Sequence, residues 1–280
     1  MGKLIAITGA NGFIGKALVE VLHNKGHGIK ALVHNEPKEK FVGVEYIHYS
    51  LEQLPSPAIF NGVDVLIHLA FQFKQTMVDG EDVNIRAIKA LKALNIPSYI
   101  FMSSFAAVDP VTSSYYGLCK LQAESFFAND LIIQPGLVLG NAGLFGRMKK
   151  QLEQSSFVPL LRGGNQIIQT IFIDDLIAAT IDLLEEDAKG IYPLAHPDKI
   201  VYKELLLEIS KQINRSITFI PLPVGLMKLM IAAMQLLPNP PFNKDNLTGL
   251  LASKYVDTTK EFKQMGNSWL SPTEALKRLI

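Results

Sequence analysis

Two short motifs in the sequence carry residue types that can do chemistry. In the first, Tyr116 and Lys120 stand four residues apart, and the serines Ser103 and Ser104 precede them at the end of an apolar run. Residues four apart lie on one face of a helix. A phenol ordinarily titrates near a pKa of about 10, and a neighbouring cation lowers that value. Ser104, Tyr116 and Lys120 are therefore candidates for proton transfer at a substrate oxygen, with an exposed tyrosine and a solvated lysine as the alternative.

The second motif is glycine-rich and follows the apolar run Leu4–Ile7. Glycines at 9, 12 and 15 let the backbone turn sharply, approach a pyrophosphate closely and pack the next helix against a sheet. The N–H groups at the start of that helix then face the phosphates. Apolar residues at helical spacing follow: Ile14, Leu18, Val21 and Leu22. The motif predicts a nucleotide site, and a purely structural tight turn is the alternative.

Strand-like and helix-like segments alternate around these motifs. After Leu4–Ile7, apolar runs predict strands at Ile29–Val33, Val44–His48, Asp64–Ala70, Tyr99–Met102 and Ile132–Ile133. Short apolar strands separated by helices indicate a parallel sheet that is covered on both faces. The sequence therefore predicts an α/β fold with a Rossmann-type doubly wound parallel sheet, whose ligand lies beyond the carboxyl ends of the strands.

The sequence after about Gly136 is richer in proline and glycine. We predict a dinucleotide-binding Rossmann domain over residues 1–135, joined by about 166–188, and a small discontinuous C-terminal substrate cap over 136–165 and 189–280. In the cap, Val224–Leu237 is a methionine-rich, almost uncharged run, too short for a bilayer span of about 20 residues. It is predicted to be core, a substrate wall or a membrane-surface contact.

Composition argues against several classes of protein. The 280 residues carry a net charge of +1 with both signs interspersed, which argues against nucleic-acid binding. The single cysteine, Cys119, fits a reducing compartment and is expected to be a packing residue. No signal-peptide pattern is recognised before the first strand, so we expect a cytoplasmic protein without an integral membrane span. The histidines show no metal-ligand spacing, so no metal is expected.

Together the motifs resemble the extended or atypical short-chain dehydrogenases/reductases of the NAD-dependent epimerase/dehydratase superfamily. The resemblance implies that Tyr116 is the general acid/base, that Lys120 also binds the nicotinamide ribose, and that Ser104 completes the triad. It also implies that hydride passes at the nicotinamide C4. Cofactor-binding residues are implied at the matching positions: Gly9, Asn11, Gly12, Phe13, Ile14, Gly15, His34, Ser50, Leu51, Leu69, Ala70, Asn84, Tyr116, Lys120 and Pro135.

The second predicted strand departs from the family pattern. NAD-preferring members usually carry an acidic residue at its end, where this sequence has Val33 followed by His34. Because an acid would repel a 2′-phosphate and a histidine would not, we expect NADP, with NAD as the alternative. A histidine that is simply exposed on a loop would look the same. The family's Asp-Leu pair at the adenine is Ser50-Leu51 here.

Two further departures concern the substrate. Only twelve residues separate Ser104 from Tyr116, which is short for a sugar-nucleotide epimerase. The family's arginine after the sixth strand is Gln134, and the asparagine that would reach a substrate diphosphate is Leu137. Both departures weaken the case for a nucleotide-sugar substrate.

We therefore predict an NAD(P)-dependent oxidoreductase or epimerase-type enzyme that acts at a hydroxyl or carbonyl of a small organic or sugar-derived substrate. The alternative is a non-catalytic NADP-binding structural or regulatory protein, similar to the complex I-associated branch of the superfamily, whose apolar C-terminal segments the run 224–237 resembles. Family members commonly dimerise through two helices per subunit, which predicts a homodimer through the segments around Asn84–Leu94 and Tyr116–Asn129.

Overall fold

The computed structural model describes residues 2–53, 56–107, 114–223, 225, 249–250 and 253–279. Two compact units divide the chain. The first unit comprises Met1–Ser104, Cys119–Gln134 and Ile177–Tyr192, and the second comprises Phe105–Leu118, Pro135–Leu176 and Pro193–Ile280. The methionine-rich run 224–237 lies outside the described residues apart from position 225, so its predicted roles stay predictions.

The strands of the described residues follow one another in chain order. They are β1 (Leu4–Thr8), β2 (Gly28–Val33), β3 (Glu45–His48), β4 (Val65–His68), β5 (Met77–Val78), β6 (Glu81–Asp82), β7 (Ser98–Met102), β8 (Leu131–Pro135), β9 (Leu137–Leu139), β10 (Phe157–Leu161), β11 (Ile167–Phe172), β12 (Gly190–Leu194), β13 (Lys199–Val201) and β14 (Thr218–Leu222).

The α-helices are α1 (Phe13–Asn24), α2 (Val83–Lys92), α3 (Tyr115–Glu124), α4 (Gly143–Gln154), α5 (Ile173–Glu185), α6 (Tyr202–Gln212), α7 (Thr259–Gln264) and α8 (Pro272–Arg278). Short 3-10 turns lie at Pro57–Phe60, Phe105–Ala107, Ser125–Phe127 and Arg162–Gly164.

A seven-stranded sheet in the order β12-β8-β7-β4-β1-β2-β3 organises the first unit. Every pair of neighbours from β8 to β3 is parallel. Ile5, Ile7 and Ile67 are fully buried in its central strands, as expected for a sheet that is covered on both faces. The predicted Rossmann-type α/β fold is confirmed, and each strand predicted in the first half is present with a shift of at most two residues at either end.

Helix α1 shows how the apolar pattern positions the glycine turn. Leu18 and Leu22 are fully buried, as the helical spacing predicts. Val19 completes the buried stripe with 1% exposure, whereas Val21 is only half-buried, so Val19 and not Val21 belongs to the core face. Burial of this stripe fixes the first turn of α1 directly after β1 and the glycines.

The second unit has its own core and two small sheets. One sheet has the order β13-β11-β9, and the other pairs β10 with β14 in parallel. Its core comprises Leu139, Phe145, Leu152, Val158, Leu160, Phe172, Ile200, Leu205, Leu206, Ile209, Ala275, Leu276 and Leu279. The Gln169 side-chain amide donates to the Val256 carbonyl and accepts from the Val256 nitrogen, both at 2.8 Å. These two bonds attach the last described segment to β11.

Candidate functional site

The glycine turn between β1 and α1 has a separate physical reason for each glycine. Gly9 adopts φ +67°, and a Cβ there would lie 2.9 Å from the Ala70 nitrogen. At Gly15 a Cβ would lie 2.3 Å from the Gly9 carbonyl oxygen, so close packing of helix against turn requires glycine. At Gly12 the backbone is extended, and a Cβ would meet only the Gly9 oxygen, at 3.0 Å. Of the three glycines, Gly12 is therefore the one at which a side chain would meet the fewest atoms of the chain itself, so the space beside its backbone is available to a ligand.

The start of α1 is suited to an anion. Helix geometry leaves the first N–H groups without intrahelical partners, and Gly12 offers no side chain to cap them. The first turn holds no acidic residue that would oppose a phosphate. Phe13 and Ile14, both half-buried, and buried Gly15 contribute this turn. The cradle and the helix N-terminus thus fit a dinucleotide pyrophosphate.

A buried hydrogen-bond network joins the ends of β1 and β4 beneath this turn. The N–H groups of Leu69 and Ala70 donate to the Thr8 hydroxyl at 3.1 and 3.3 Å, and that hydroxyl lies 2.8 Å from His68 Nδ1. Burial, with a smaller effect of Lys120, lowers the pKa of His68 to about 3, so the ring is neutral. The Thr8 hydroxyl proton then donates to Nδ1, which assigns the Nε2–H tautomer. His68 is a structural residue that holds the Leu69-Ala70 backbone in place.

Asn84 fixes the loop that follows β4. Its side-chain oxygen accepts from the Gln72 nitrogen at 2.7 Å, and its amide donates to the Gln72 oxygen at 3.1 Å and to Asp82 at 3.2 Å. Asp82 also caps α2 by accepting from the Asn84 nitrogen at 2.9 Å. Asn84 is 98% buried, and its bonds fix the backbone of the loop at Gln72.

The end of β2 presents exposed residues. His34 follows Val33 and lies beside His48, with ring centroids 5.9 Å apart. Two lysines close to this end pair with carboxylates: Lys16 with Glu39 at 3.3 Å, and Lys40 with Glu36. These pairs balance the local charge.

Helix α3 carries the tyrosine and the lysine. Tyr116 is half-buried in its first turn and belongs to the second unit, and Lys120, one turn later, belongs to the first. The Lys120 ammonium donates to the Met102 carbonyl at 2.6 Å and lies 4.7 Å from the Phe101 ring centroid. Burial lowers the pKa of Lys120 to about 8, while Cys119 and Glu124 act in the opposite direction. Lys120 is thus a cation in a dry environment, not a solvated surface residue.

The two serines after β7 have different surroundings. The Ser103 hydroxyl is buried and donates to Glu124, whose carboxylate also accepts from the Gln134 amide at 2.8 Å. Ser104, the next residue, is half-buried. Gln134 therefore has a structural partner. Sequence reasoning missed Glu124, although its position four residues after Lys120 was a detectable signal.

Most of the predicted cofactor residues follow the carboxyl ends of the first unit's strands. Ser50 and Leu51 are half-buried after β3, and the Ser50 hydroxyl accepts from the Glu52 nitrogen at 3.2 Å. Asn11 is exposed and its amide donates to the Asn35 carbonyl at 3.4 Å. Pro135 is buried at the end of β8 and, like Tyr116, is grouped with the second unit.

Cys119 is buried on α3 as a packing residue. Its thiol lies 3.7 Å from Asp82 Oδ1, and burial raises the pKa of the thiol to about 12. Among the described residues, no group of three or more histidine, cysteine, aspartate or glutamate side chains is arranged to hold a metal ion. Within the same part of the chain, every helix is too short or too polar to cross a membrane.

Comparison with known proteins finds one family model, several relatives and many solved structures that are similar to this chain. The NmrA-like family model matches residues 1–118. A ceramide reductase of Caulobacter vibrioides is 26% identical over 209 residues, which span 69% of this chain and 64% of the reductase. Subunit 9 of the NADH dehydrogenase (ubiquinone) 1 alpha subcomplex of Arabidopsis thaliana, a mitochondrial protein, is 24% identical across 94% of this chain and 74% of its own.

A solved structure similar to this one is the UDP-glucuronic acid 4-epimerase of Bacillus cereus in complex with UDP-glucuronic acid and NAD. The TM-score is 0.72 at 17% identity, and the match covers 99% of this chain and 97% of the epimerase. At this identity the likeness shows the fold. Together with the family-model match, it confirms the predicted resemblance to the NAD-dependent epimerase/dehydratase and short-chain dehydrogenase/reductase superfamily.

Proposed function

We propose that this chain is an NAD(P)-dependent oxidoreductase or epimerase-type enzyme that acts at a hydroxyl or carbonyl group of a small organic or sugar-derived substrate. The observation that carries the proposal is Lys120, a buried ammonium held on the Met102 carbonyl one helical turn after Tyr116. A buried cation is costly unless it is paired, hydrogen-bonded or used in chemistry. Its place beyond the carboxyl end of β7 is where ligands bind in such sheets.

The first unit would hold the dinucleotide. Gly9, Gly12 and Gly15 with Asn11, Phe13 and Ile14 would hold the pyrophosphate, for which the cradle at Gly12 is the supporting observation. His34, Ser50 and Leu51 would line the adenosine, and Leu69, Ala70, Asn84 and Pro135 the nicotinamide side. When bound, the cofactor supplies or accepts hydride at the nicotinamide C4.

Tyr116 and Lys120 would move the proton. The Tyr116 hydroxyl gives a proton to, or takes one from, the substrate oxygen, and the Lys120 ammonium favours the phenolate and binds the nicotinamide ribose. Ser104 orients the substrate oxygen by a hydrogen bond. Ser103, the neighbouring serine, is engaged with Glu124 and is given no catalytic part.

NADP(H) is the cofactor we propose, with NAD(H) as the alternative. The residues directly after β2 are His34 and Asn35, neither of which would repel a 2′-phosphate. Lys38 lies on the same loop, while Lys16 and Lys40 are already paired with Glu39 and Glu36. The preference is therefore proposed to rest on the absence of an acid at the strand end and not on a basic cluster.

Residues of the second unit would select the substrate. The short segment between Ser104 and Tyr116 and the uncharged Leu137 argue against a nucleotide diphosphate. The ceramide reductase among the relatives adds ceramide-like lipids to the compounds worth testing. A homodimer through α2 and α3 is proposed as well, and Leu118 of α3 is 45% exposed.

A second candidate function is non-catalytic dinucleotide binding in a larger assembly. The alignment with a subunit named for NADH dehydrogenase runs over 94% of this chain, which is the observation in its favour. The two candidates differ in whether Tyr116 does chemistry.

Replacing the tyrosine decides between them. Tyr116→Phe is expected to keep cofactor affinity and to lower turnover about 10²–10⁴-fold, the usual effect of losing a general acid/base. The assay follows NADPH oxidation with a panel of carbonyl compounds and nucleotide sugars. Tyr115→Phe, the adjacent tyrosine, is the matched control. Full turnover in Tyr116→Phe would refute the mechanism, and tight cofactor binding without any substrate would favour the non-catalytic candidate.

A further inference from the structure

A buried carboxylate lies one turn beyond the lysine on α3. Glu124 is 8% exposed and Lys120 is 3% exposed, and residues four apart share a helix face. An isolated buried carboxylate is unfavourable, so a glutamate at this depth requires partners. It is the last residue of α3, before a 3-10 turn at Ser125–Phe127.

The partners of Glu124 come from two neighbouring strand ends. Ser103, directly after β7, donates a hydrogen bond from its hydroxyl to Glu124 Oε1, and Gln134, the last residue but one of β8, donates from its amide to the same oxygen at 2.8 Å. The Ser103 nitrogen also donates to the Ile133 carbonyl at 2.7 Å. Glu124 therefore fastens the end of α3 to the carboxyl edge of the sheet.

Lys120 is held on the same edge by its own bond. Its ammonium donates to the carbonyl of Met102, the residue before Ser103. Helix α3 is thus attached to the end of β7 at two successive residues, through one cation and one anion. The Phe71 and Phe101 rings lie 5.1 and 4.7 Å from the Lys120 ammonium.

The titratable groups around Lys120 come from three elements. From β4, His68 is neutral at physiological pH because burial lowers its pKa to about 3. On α3 itself, the Cys119 thiol is neutral because burial raises its pKa to about 12, with Asp82 of β6 beyond it. Tyr116 and Glu124 lie one turn to either side on the same helix. Cys119 and Glu124 are the two groups that favour the charged lysine, and because the Cys119 thiol keeps its proton at physiological pH, Glu124 is the one that supplies a negative charge.

We propose that Glu124 is the positioning residue for Lys120: its carboxylate ties α3 to Ser103 and Gln134 and supplies the negative charge that keeps the ammonium in a dry site. The proposal rests on the proposed function in one respect, the use of Lys120 in cofactor binding. The attachment itself is a property of the folded chain and is testable without cofactor.

Glu124→Gln separates the effect of the Glu124 charge from the effect of its hydrogen bonds. A glutamine accepts the same two hydrogen bonds through its side-chain oxygen but carries no charge. Glu81→Gln is the matched control, because Glu81 is a carboxylate of the same unit that pairs with Lys89 at the surface. Lys120→Met, and its combination with Glu124→Gln, complete a double-mutant cycle.

Urea unfolding at pH 7 and pH 9.5 gives a readout that is independent of cofactor. The folded pKa of Lys120, about 8, lies below its ordinary 10.5, so its contribution to stability is present above pH 10.5 and is lost as pH falls through 8. At pH 7 the ammonium needs Glu124, and near pH 9.5 the largely neutral amine does not. Glu124→Gln is therefore expected to destabilise more at pH 7 than at pH 9.5, and Lys120→Met is expected to abolish this difference.

The proposal would be overturned if Glu124→Gln destabilised the protein equally at both pH values, or if the difference persisted in the Lys120→Met background. Glu124 would then have only a packing role. If Glu124→Gln does not fold at pH 7, recovery of folding in the double variant supports the proposal, and failure to recover overturns it. Glu81→Gln is expected to show a small effect with little difference between the two pH values.

NADPH titration across pH 7–9.5 then tests the link to the proposed function. Because Lys120 loses its proton at lower pH in Glu124→Gln, the alkaline weakening of cofactor affinity is expected to begin at lower pH than in the parent, whereas a merely structural residue would lower affinity equally at every pH. A parent that binds neither NADPH nor NADH would refute the proposed function, and the unfolding cycle would still decide the role of Glu124.

Discussion

The polar groups of the first unit's sheet edge and those of the second unit are held differently. At the sheet edge, buried Thr8, Asn84 and Glu124 each bond two or more partners. In the second unit, the buried hydroxyls of Thr170 and Thr258 find no hydrogen-bond partner among the described residues, and at the sheet edge the same holds for the Tyr49 hydroxyl, directly after β3. Satisfied buried networks rigidify their surroundings, so the part of the sheet edge around Thr8, Asn84 and Glu124 is the better-ordered one.

The second unit also has a surface depression of about 840 Å³ with a different character. Its charged lining residues are Asp198, Lys199, Glu204, Glu208 and Lys211, most of them exposed, and Lys211 bonds Glu208 at 2.6 Å. Exposed ion pairs contribute little to stability and rearrange readily. The contrast teaches that this molecule fixes Lys120 and Glu124 by burial, whereas the charged groups lining the second unit's depression are mostly exposed.

The mutation with the largest expected effect on this contrast is at the glycine turn. Gly12→Val is expected to weaken dinucleotide binding by at least about a hundredfold, roughly 2.7 kcal/mol, because the side chain occupies the space kept for phosphate. The fold should survive with a lowered thermal midpoint, since the new Cβ lies in a tight contact 3.0 Å from the Gly9 oxygen. Titration calorimetry measures the affinity. Gly26→Ala strains the backbone at φ +85° just after α1 and is the control: it should also lower the thermal midpoint but leave affinity unchanged.

Asn84→Ala probes the buried network of the first unit. It leaves the Gln72 nitrogen and oxygen without the side-chain partner, which is expected to cost about 2 kcal/mol of unfolding free energy. Cofactor affinity should fall as well, because the loop after β4 loses its anchor. Urea denaturation and NADPH titration measure the two effects. An equally small change in Asn84→Ala and in the exposed control Gln122→Ala would show that the network does not order this edge.

Gln169→Leu removes a buried side-chain amide from the second unit, as Asn84→Ala does from the first. Removing both bonds to Val256 is expected to cost about 1 kcal/mol and to speed hydrogen exchange in residues 253–264. NADPH affinity should stay at the parental value, since the proposed dinucleotide residues at the sheet edge are untouched. A parallel loss of affinity would break the distinction drawn between the two regions.

The smallest expected effect is at the end of β2. His34→Asp places a carboxylate where a 2′-phosphate is proposed to lie, so the ratio of NADPH to NADH affinity should fall severalfold, less than about 1 kcal/mol for an exposed group. Competitive titration of both cofactors measures the ratio. Asn24→Asp, which adds the same charge at the exposed end of α1, is the control. Equal or tighter NADH binding by the parent would overturn the proposed NADP preference.

Light scattering at micromolar concentration tests the proposed homodimer, for which a monomer mass is the contradicting result. Leu118→Ser is expected to shift the mass toward the monomer, because this leucine is 45% exposed on α3. Leu121 and Phe126 are half-buried on the same segment and would contribute less to a partner surface.

Local patterns were sufficient for the fold. Apolar runs without polar alternation gave the strands, since a parallel sheet buried on both faces needs apolar side chains in both directions, and β1, β2, β4 and β7 formed where predicted. Glycine spacing likewise gave the turn after β1, because steric exclusion at Gly9 and Gly15 is a property of the backbone itself. The exact face of α1 was less certain, since Val19 and Val21 are equally apolar.

The partners of the polar residues were decided by tertiary structure. By itself the sequence determined that Tyr116 and Lys120 share a helix face, that glycines follow the first strand and that a serine pair ends β7. It did not determine that Ser103 and Gln134 bond Glu124, that Asn84 holds Gln72, or that His68 is neutral beneath the turn. Those pairings join strands and helices distant in sequence, and burial, which sets the charge of Lys120 and His68, exists only after the sheet has formed.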